Sequence, residues 1–221
     1  MRRARLGGPV CLLVFLMLIS TPVLMADVIE LNVCNGCGLS GTFATVTLTQ
    51  NGLNVDVDVA AGSGLGLKTI SGDALIAFNV LTGVTLAKSN ITDLKADNIY
   101  TGLAFDFNSG RTLDGFGQFS YDLESIHGGS LPGNYQSVAS YQFKIIGVTL
   151  VQVEALNSQG YSWGVHFCSS EEPNCTGSTW KAVGTTPVIP MVVVPEPATL
   201  ALFGAGLLAL GAAGRKRFRK L

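Results

Sequence analysis

The four cysteines beyond the first 26 residues are the side chains in this sequence that are best suited to specific chemistry. Cys34 and Cys37 form a C-x-x-C motif, and Cys168 and Cys175 lie close together near the other end. If the chain is exported, an even set of cysteines predicts two disulfides, whose connectivity the sequence leaves open. Local pairs would close two small loops. Crossed pairs would join the first strand to the last and restrict the unfolded chain more strongly.

The same cysteines could serve redox or metal chemistry, but their surroundings argue against both. A thioredoxin-type site needs a helix that starts at the C-x-x-C motif and lowers the thiol pKa, whereas glycines and a predicted strand follow this one. A metal site would enlist His166, which shares a predicted strand face with Cys168. The gap from Cys168 to Cys175 is wider than in zinc knuckles. We therefore predict structural disulfides and no metal.

No recognisable catalytic set surrounds either histidine. His127 or His166 could be drawn into a Ser-His-Asp arrangement, but the chain has no Gly-x-Ser-x-Gly nucleophile elbow. The glycine-rich segment 62–69 lacks the Gly-Lys-Thr order of a phosphate-binding loop. We predict no catalytic residue and no cofactor, with His127 in a solvated loop and His166 on a strand.

Acidic residues form two candidate cation sites. Asp56 and Asp58 project from one face of a predicted strand, about 7 Å apart, and Asp106, Asn108 and Asp114 flank a glycine-rich turn. Oxygen ligands of this kind bind calcium, but neither spacing matches a calcium-binding loop. A solvated acidic edge is the preferred interpretation.

The elements that must position these side chains are predicted to be strands. Asn51-Gly52 is a favoured two-residue hairpin turn, and it would pair Leu48 with Val55, Val46 with Val57 and Ala44 with Val59. The threonines between them would then face Asn54, Asp56 and Asp58. Apolar residues meet apolar ones at every step, as a half-buried antiparallel pair requires.

Alternation predicts five further strands. Their apolar faces are Ile76/Phe78/Val80, Leu103/Phe105/Phe107, Tyr141/Phe143/Ile145, Val151/Val153/Ala155 and Tyr161/Trp163/Val165/Phe167. Segment 91–96 is predicted to form at most one or two helical turns, and 182–194 a last strand that fades into a linker. Trp163 and Trp180 could stack on sugars, although the stripe around Trp163 indicates a core position. The pattern predicts an all-β antiparallel β-sandwich or jelly-roll body.

Charge is distributed unevenly along the chain. The whole chain carries −1, whereas residues 27–194 hold 14 acidic and 6 basic residues, a charge of −8. An acidic body disfavours binding to nucleic acid or anionic lipid, which select basic surfaces. It suits a soluble extracellular domain or one that binds cations.

The N-terminal segment has the three parts of a secretory signal. Arg2, Arg3 and Arg5 precede an apolar run, which Ala26 ends. We predict a signal peptide over 1–26, cut between Ala26 and Asp27, which requires the Sec translocon and a signal peptidase. A retained N-terminal anchor is the alternative, because the apolar run approaches spanning length.

The C-terminal tail combines a Pro195-Glu196-Pro197 motif, an apolar segment over 198–214 and a basic cluster. The segment would reach about 26 Å as a helix, enough to cross a thin hydrocarbon core. The cluster would hold that end in the cytoplasm; it comprises Arg215, Lys216, Arg217, Arg219 and Lys220. The alternative is an ordinary tail anchor, which requires only an apolar segment and flanking charge and in which the Pro-Glu-Pro motif would be accidental.

This tail resembles a PEP-CTERM sorting signal, over about 27 residues of the chain. The resemblance implies an exported envelope protein of a Gram-negative bacterium that makes extracellular polysaccharide. It also implies processing near the Pro-Glu-Pro motif by an exosortase, a membrane cysteine protease that acts as a transpeptidase. It says nothing about the body of the chain.

Together these features predict four parts: a signal peptide (1–26), an exported β domain (27–185), a linker (186–194) and a sorting signal (195–221). The predicted function is noncatalytic, as a cell-surface, biofilm or matrix protein that is transiently anchored before reaching the envelope or matrix. Extracellular polysaccharide is a candidate partner. A carbohydrate- or calcium-binding module is the alternative, and a secreted hydrolase a weaker one.

Overall fold

The computed structural model describes residues 25–69, 74–97, 100–101, 103–125, 137–169, 179–185 and 204–206. Most of the predicted signal peptide, the whole linker, the Pro-Glu-Pro motif and the basic cluster lie outside this part of the chain, as do His127 and Cys175. Residues 24–191 form one compact unit, which contains every strand that the described residues form, arranged in two large sheets and one two-stranded sheet.

The described part of this unit contains sixteen strands and one short α-helix, α1 (Leu150–Val153). The strands are β1 (Ala26–Leu31), β2 (Val33–Cys34), β3 (Ala44–Asn51), β4 (Asn54–Ala61), β5 (Gly66–Lys68), β6 (Ile76–Phe78), β7 (Ile91–Ala96), β8 (Tyr100–Thr101), β9 (Phe105–Ser109), β10 (Thr112–Leu113), β11 (Gly117–Gln118), β12 (Tyr121–Ser125), β13 (Ser137–Val138), β14 (Ser140–Ile146), β15 (Trp163–Cys168) and β16 (Thr179–Gly184).

All pairings among these strands are antiparallel. The first sheet has the order β1-β3-β4-β14-β7-β8. In the second, β15 pairs with β16 on one side and with both β6 and β5 on the other, and β12 and β9 continue beyond β6. The prediction of an all-β fold is confirmed.

The two sheets share one hydrophobic core. Alternation along β3 and β4 buries Val46, Leu48, Val57 and Val59, while the threonines and aspartates between them stay partly exposed. Trp163 of β15 is fully buried opposite them, with its ring 4.9 Å from that of Phe78 and 6.5 Å from that of Phe143 of the first sheet. Its indole N–H donates to the carbonyl of Val153 at 2.9 Å, so the polar atom of this core residue is satisfied.

Strand β15 is buried on both faces. Its outer face is covered by residues 110–120, the connection between the paired strands β9 and β12. Leu113, Phe116 and Phe119 of this connection form a second apolar cluster with Val183 of β16. A Cβ atom added at Gly164 would clash with Leu113, so glycine lets the connection lie close to the sheet.

The predicted register of the β3–β4 hairpin is wrong by two residues. Leu48 pairs with Val57 and Asn51 with Asn54, so the turn is Gly52-Leu53. Gly52 has φ +63° at the first central position, which a type II′ turn reserves for glycine. Asn51 instead remains in the strand and donates to Asp56 at 2.9 Å. A shift of two residues preserves the faces, so alternation could not detect it.

Two further predictions of secondary structure are wrong. Residues 150–153 form α1 rather than a strand, because Gln152 accepts the Thr149 N–H at 2.8 Å and Gln50 accepts the Leu150 N–H at 2.8 Å. The segment predicted to be helical is strand β7. A bulge opposite β14 and a φ of +58° at Asp93 bring Ile91 and Leu94 to one face, which imitates helical spacing.

The other predicted strands are confirmed with shorter bounds. Strands β6, β9, β14 and β15 contain the predicted apolar faces, although Val80, Leu103 and Tyr161 lie just outside them. The last described strand, β16, lies earlier in the chain than predicted. Among the described residues no helix is long and apolar enough to cross a membrane. Only 204–206 of the predicted membrane segment are described, and they are helical.

The turn assignment predicts different effects at two adjacent residues. Gly52→Ala should lower the free energy of unfolding by about 1 kcal/mol, because alanine is strained at positive φ. Asn51→Ala, at an exposed strand position, should lower it by less than about 0.5 kcal/mol. Urea unfolding of both variants measures the difference. Equal losses would instead support an Asn51-Gly52 turn, in which both central residues have positive φ.

Candidate functional site

One pair of cysteines is bonded locally. Cys34 and Cys37 form a disulfide, with their Cα atoms 6.0 Å apart. Cys168 is disulfide-bonded as well, and Cys175 lies outside the described residues. The crossed connectivities are therefore excluded. Residues 35–43, which follow Cys34, contain no helix, so the C-x-x-C motif lacks the helix N-terminus of a thioredoxin-type site.

A polar cleft lies on the outer face of the second sheet, beside the Cys34–Cys37 loop. His166 of β15 and Lys181 of β16 are directly paired across the two strands. Asp114 comes from the turn between β10 and β11, and Asn35 from the disulfide loop. With Thr179 and Trp180, these residues line a cavity of about 270 Å³. The disulfide and the cover segment 110–120 thus bring three distant parts of the sequence together.

An ion pair dominates the electrostatics of this cleft. The Lys181 ammonium donates to Oδ2 of Asp114 at 2.8 Å, with the lysine side chain 14% and the aspartate 86% exposed. The hydrogen bond and charge of Lys181 lower the pKa of Asp114. His166 is buried at the base, with 3% exposure. The cleft thus presents both hydrogen-bond donors and hydrogen-bond acceptors. Its volume of about 270 Å³ is smaller than that of pockets for drug-sized ligands, about 300–1,000 Å³, so it suits a small polar molecule.

The predicted acidic pair on the first sheet already has partners. Lys144 of β14 lies 3.8 Å from Asp56 and 3.4 Å from Asp93, and the Gln142 amide donates to Asp58 at 2.6 Å. The residues of the other predicted acidic group do not come together at one site. Asp106 lies 4.0 Å from Lys88, Asp114 pairs with Lys181, and Asn108 donates to Glu124.

Potential metal ligands are not clustered either. Within the described part of the chain, no group of three or more His, Cys, Asp or Glu residues is placed to hold a metal ion. The sequence suggested His166 with Cys168 as the start of such a group. Both lie on the outer face of β15, but Cys168 is bonded in a disulfide.

Sequence reasoning missed a buried carboxyl group, that of Asp122. It is fully buried on the outer face of β12, beneath the cover segment. Burial raises its pKa to about 6, against the opposing charge of Arg111. Alternation predicts an outward, solvated residue here. The apolar residues Leu113, Phe116 and Phe119 within a glycine-rich connection are the signal that the outer face is covered.

Asp122→Asn should stabilise the protein at neutral pH. An acid whose pKa is raised by folding binds more protons in the folded state, so stability should fall as the pH rises from about 4 to about 6. The variant should remove this fall and raise the unfolding free energy at pH 7.5 by on the order of 1–3 kcal/mol. Denaturation from pH 4 to 8 measures it. A variant less stable at pH 7.5 than the native chain would show that Arg111 outweighs the burial.

Comparison with known proteins assigns only the tail. No curated protein and no solved structure matches the chain. Residues 193–217 match the family model of the PEP-CTERM protein-sorting motif, which includes the predicted sorting residues Pro195, Glu196 and Pro197. This motif implies export, an exosortase as processing partner and anchoring at the envelope. The C-terminal tail of this chain is a PEP-CTERM protein-sorting motif.

Proposed function

We propose that this chain is a noncatalytic surface or matrix protein of a Gram-negative bacterium, delivered by exosortase processing of its C-terminal tail. The observation that carries the proposal is the sorting motif at residues 193–217. Its Pro-Glu-Pro residues follow the compact unit, which ends at residue 191. Processing near Pro195 would therefore leave the β domain whole.

The body has properties that support a structural role outside the cytoplasm. A disulfide such as Cys34–Cys37 persists in oxidising compartments, and a charge of −8 over residues 27–194 favours solubility there. The ammonium groups of Lys181 and Lys144 are paired with aspartate carboxylates. Such pairs are consistent with charges that stabilise the fold rather than take part in catalysis. A biofilm or matrix role follows from sorting and the lack of a recognisable catalytic set in the sequence.

Substitution of the sorting motif should block processing. In the native host, the triple variant Pro195→Ala, Glu196→Ala and Pro197→Ala should accumulate as a membrane-bound chain whose intact mass includes the tail. The native chain should appear in envelope or medium fractions, ending near Pro195. Pro190→Ala, a proline substitution upstream of the motif, is the matched control and should process normally.

Two outcomes would contradict the proposal. A native chain that retains residues 198–221 in every fraction would mean a plain membrane anchor without exosortase processing. Saturable turnover in a broad hydrolase screen, abolished by one substitution such as His166→Ala, would mean that the body is an enzyme.

Saccharide binding is the second candidate function, and the cleft beside the Cys34–Cys37 loop favours it. Its carboxylate, ammonium, amide, imidazole and hydroxyl groups match the alternating donors and acceptors of sugar hydroxyls. The volume of about 270 Å³ suits a single sugar unit better than a long chain. A groove on the first sheet, lined among others by Asp56, Asp93 and Lys144, is crossed by the ion pairs of Lys144, so these charged groups already bind one another.

Calorimetry with a panel of neutral monosaccharides and uronates tests this candidate. Binding at the cleft should weaken at least tenfold in Asp114→Asn, because a charged hydrogen bond contributes about 1.5–3 kcal/mol. Asp106→Asn is the matched control, since that aspartate is also exposed and lies near a lysine. No heat with any sugar, or equal weakening in both variants, would exclude the cleft as a sugar site.

A further inference from the structure

Exposed apolar side chains gather at one end of the β domain, the end that holds the β3–β4 turn and helix α1. Four of the eight large apolar side chains that are exposed in the described part of the chain lie there: Leu53, Leu81, Ile146 and Val151. Leu53 is 77% and Val151 68% exposed. We call this surface the apolar end. A group of exposed apolar side chains marks an interaction surface, whereas single ones are common on any protein.

Hydrogen bonds hold the turn beside the segment that follows β14. The side-chain amide of Gln50 donates to the carbonyl of Val148 at 3.3 Å, and its oxygen accepts the Leu150 N–H at 2.8 Å. The Gly147 N–H also donates to the carbonyl of Leu53 at 3.0 Å. The apolar side chains of the turn, of the end of β14 and of α1 therefore lie on neighbouring segments.

A third segment joins them from the second sheet. The Leu81 N–H donates to the carbonyl of Gln152 in α1 at 2.9 Å. The three segments that form the apolar end, 50–54, 79–87 and 145–153, contain no aspartate, glutamate, lysine or arginine. They are thus uncharged stretches in a body that carries a charge of −8.

The chain leaves the β domain toward its tail near this end. Strand β16 ends at Gly184, which is paired with Trp163 at the start of β15, and the Trp163 indole donates to the carbonyl of Val153 in α1. The last described strand therefore ends near α1. Residues 186–197 separate it from the predicted membrane segment, and these twelve residues span at most about 40 Å when extended. Lipid is within that reach.

We propose that the apolar end rests on the lipid bilayer while the tail anchors the chain, with Leu53 and Val151 inserted among the lipid headgroups and Leu81 and Ile146 at the margin. The inference rests on the anchoring in the proposed function. The tether favours lipid over a second copy of the chain as the occupant, because it keeps lipid at a high effective concentration beside this surface. The uncharged segments also avoid the repulsion that the acidic body meets at an anionic surface.

The contact depends on the tether. Four side chains bury little apolar area, and without a tether the loss of translational and rotational freedom opposes binding. Processing near Pro195 would therefore release the β domain from the lipid as well as from its anchor. The docked state is confined to the interval between export and processing.

Photo-crosslinking in nanodiscs tests the contact. The full chain is expressed in a host without an exosortase, so that the tail is kept, with a diazirine-bearing amino acid in place of Leu53 or of Leu39. Leu39 is the matched control, because it is also an exposed leucine and lies in the connection before β3, at the opposite end of that strand from the turn. In phosphatidylcholine nanodiscs, mass spectrometry should detect several-fold more lipid adducts at position 53 than at position 39.

The other possible occupants of the apolar end would appear as different adducts. Equal lipid labelling at the two positions, a crosslink from position 53 to a second copy, or one to another segment of the same chain would overturn the inference and leave the anchor intact. A chain that does not elute with the nanodiscs in size-exclusion chromatography would overturn the anchoring in the proposed function, and the inference with it.

A double substitution tests which side chains make the contact. With the diazirine at position 146, Leu53→Ser together with Val151→Ser should lower lipid labelling several-fold, because each inserted apolar side chain raises partition into lipid by about tenfold. Leu39→Ser should leave the labelling unchanged. Both substituted side chains are exposed, so the urea midpoint of the double variant should match that of the native chain. Unchanged labelling in the double variant would overturn the inference.

Discussion

The burial of β15 on both faces is the constraint on which the rest of the structure depends. Its inner face places Trp163 and Phe167 in the core shared with the first sheet. Its outer face would expose a hydrophobic neighbour, Val183 of β16, unless another segment covered it. Residues 110–120 provide that cover. Strand β15 is therefore buried on both sides, although it belongs to an antiparallel sheet, which could leave one face solvated.

The cover segment explains both unusual polar features of the second sheet. It excludes water from Asp122 and so raises the pKa of that carboxyl group. The same segment carries Asp114 to Lys181, where the ion pair forms one wall of the polar cleft. The Cys34–Cys37 loop completes the cleft with Asn35. Polar groups that are distant in sequence thus meet because apolar residues beside them need burial.

Sorting information and fold are carried by separate parts of the chain. The Pro-Glu-Pro motif lies after the compact unit, and its match to the sorting family extends only over residues 193–217. The features of this tail, namely two prolines, an apolar run and terminal basic charge, all lie within one short stretch of sequence. The sorting residues can therefore be identified from the tail sequence alone, without reference to the fold of the β domain.

The sequence by itself determined the sorting tail, the all-β class and the polar and apolar faces of β3, β4 and β14. Each of these depends on neighbouring residues or on a period of two, which a linear pattern contains. Tertiary structure alone decided the hairpin register, because a two-residue shift leaves every face unchanged. It also decided that 91–96 is a bulged strand, that 150–153 is a helix capped by Gln50, and that the outer face holding Asp122 and His166 is covered. Those outcomes depend on which segments meet in space, and the free energy of such contacts is not contained in local spacing.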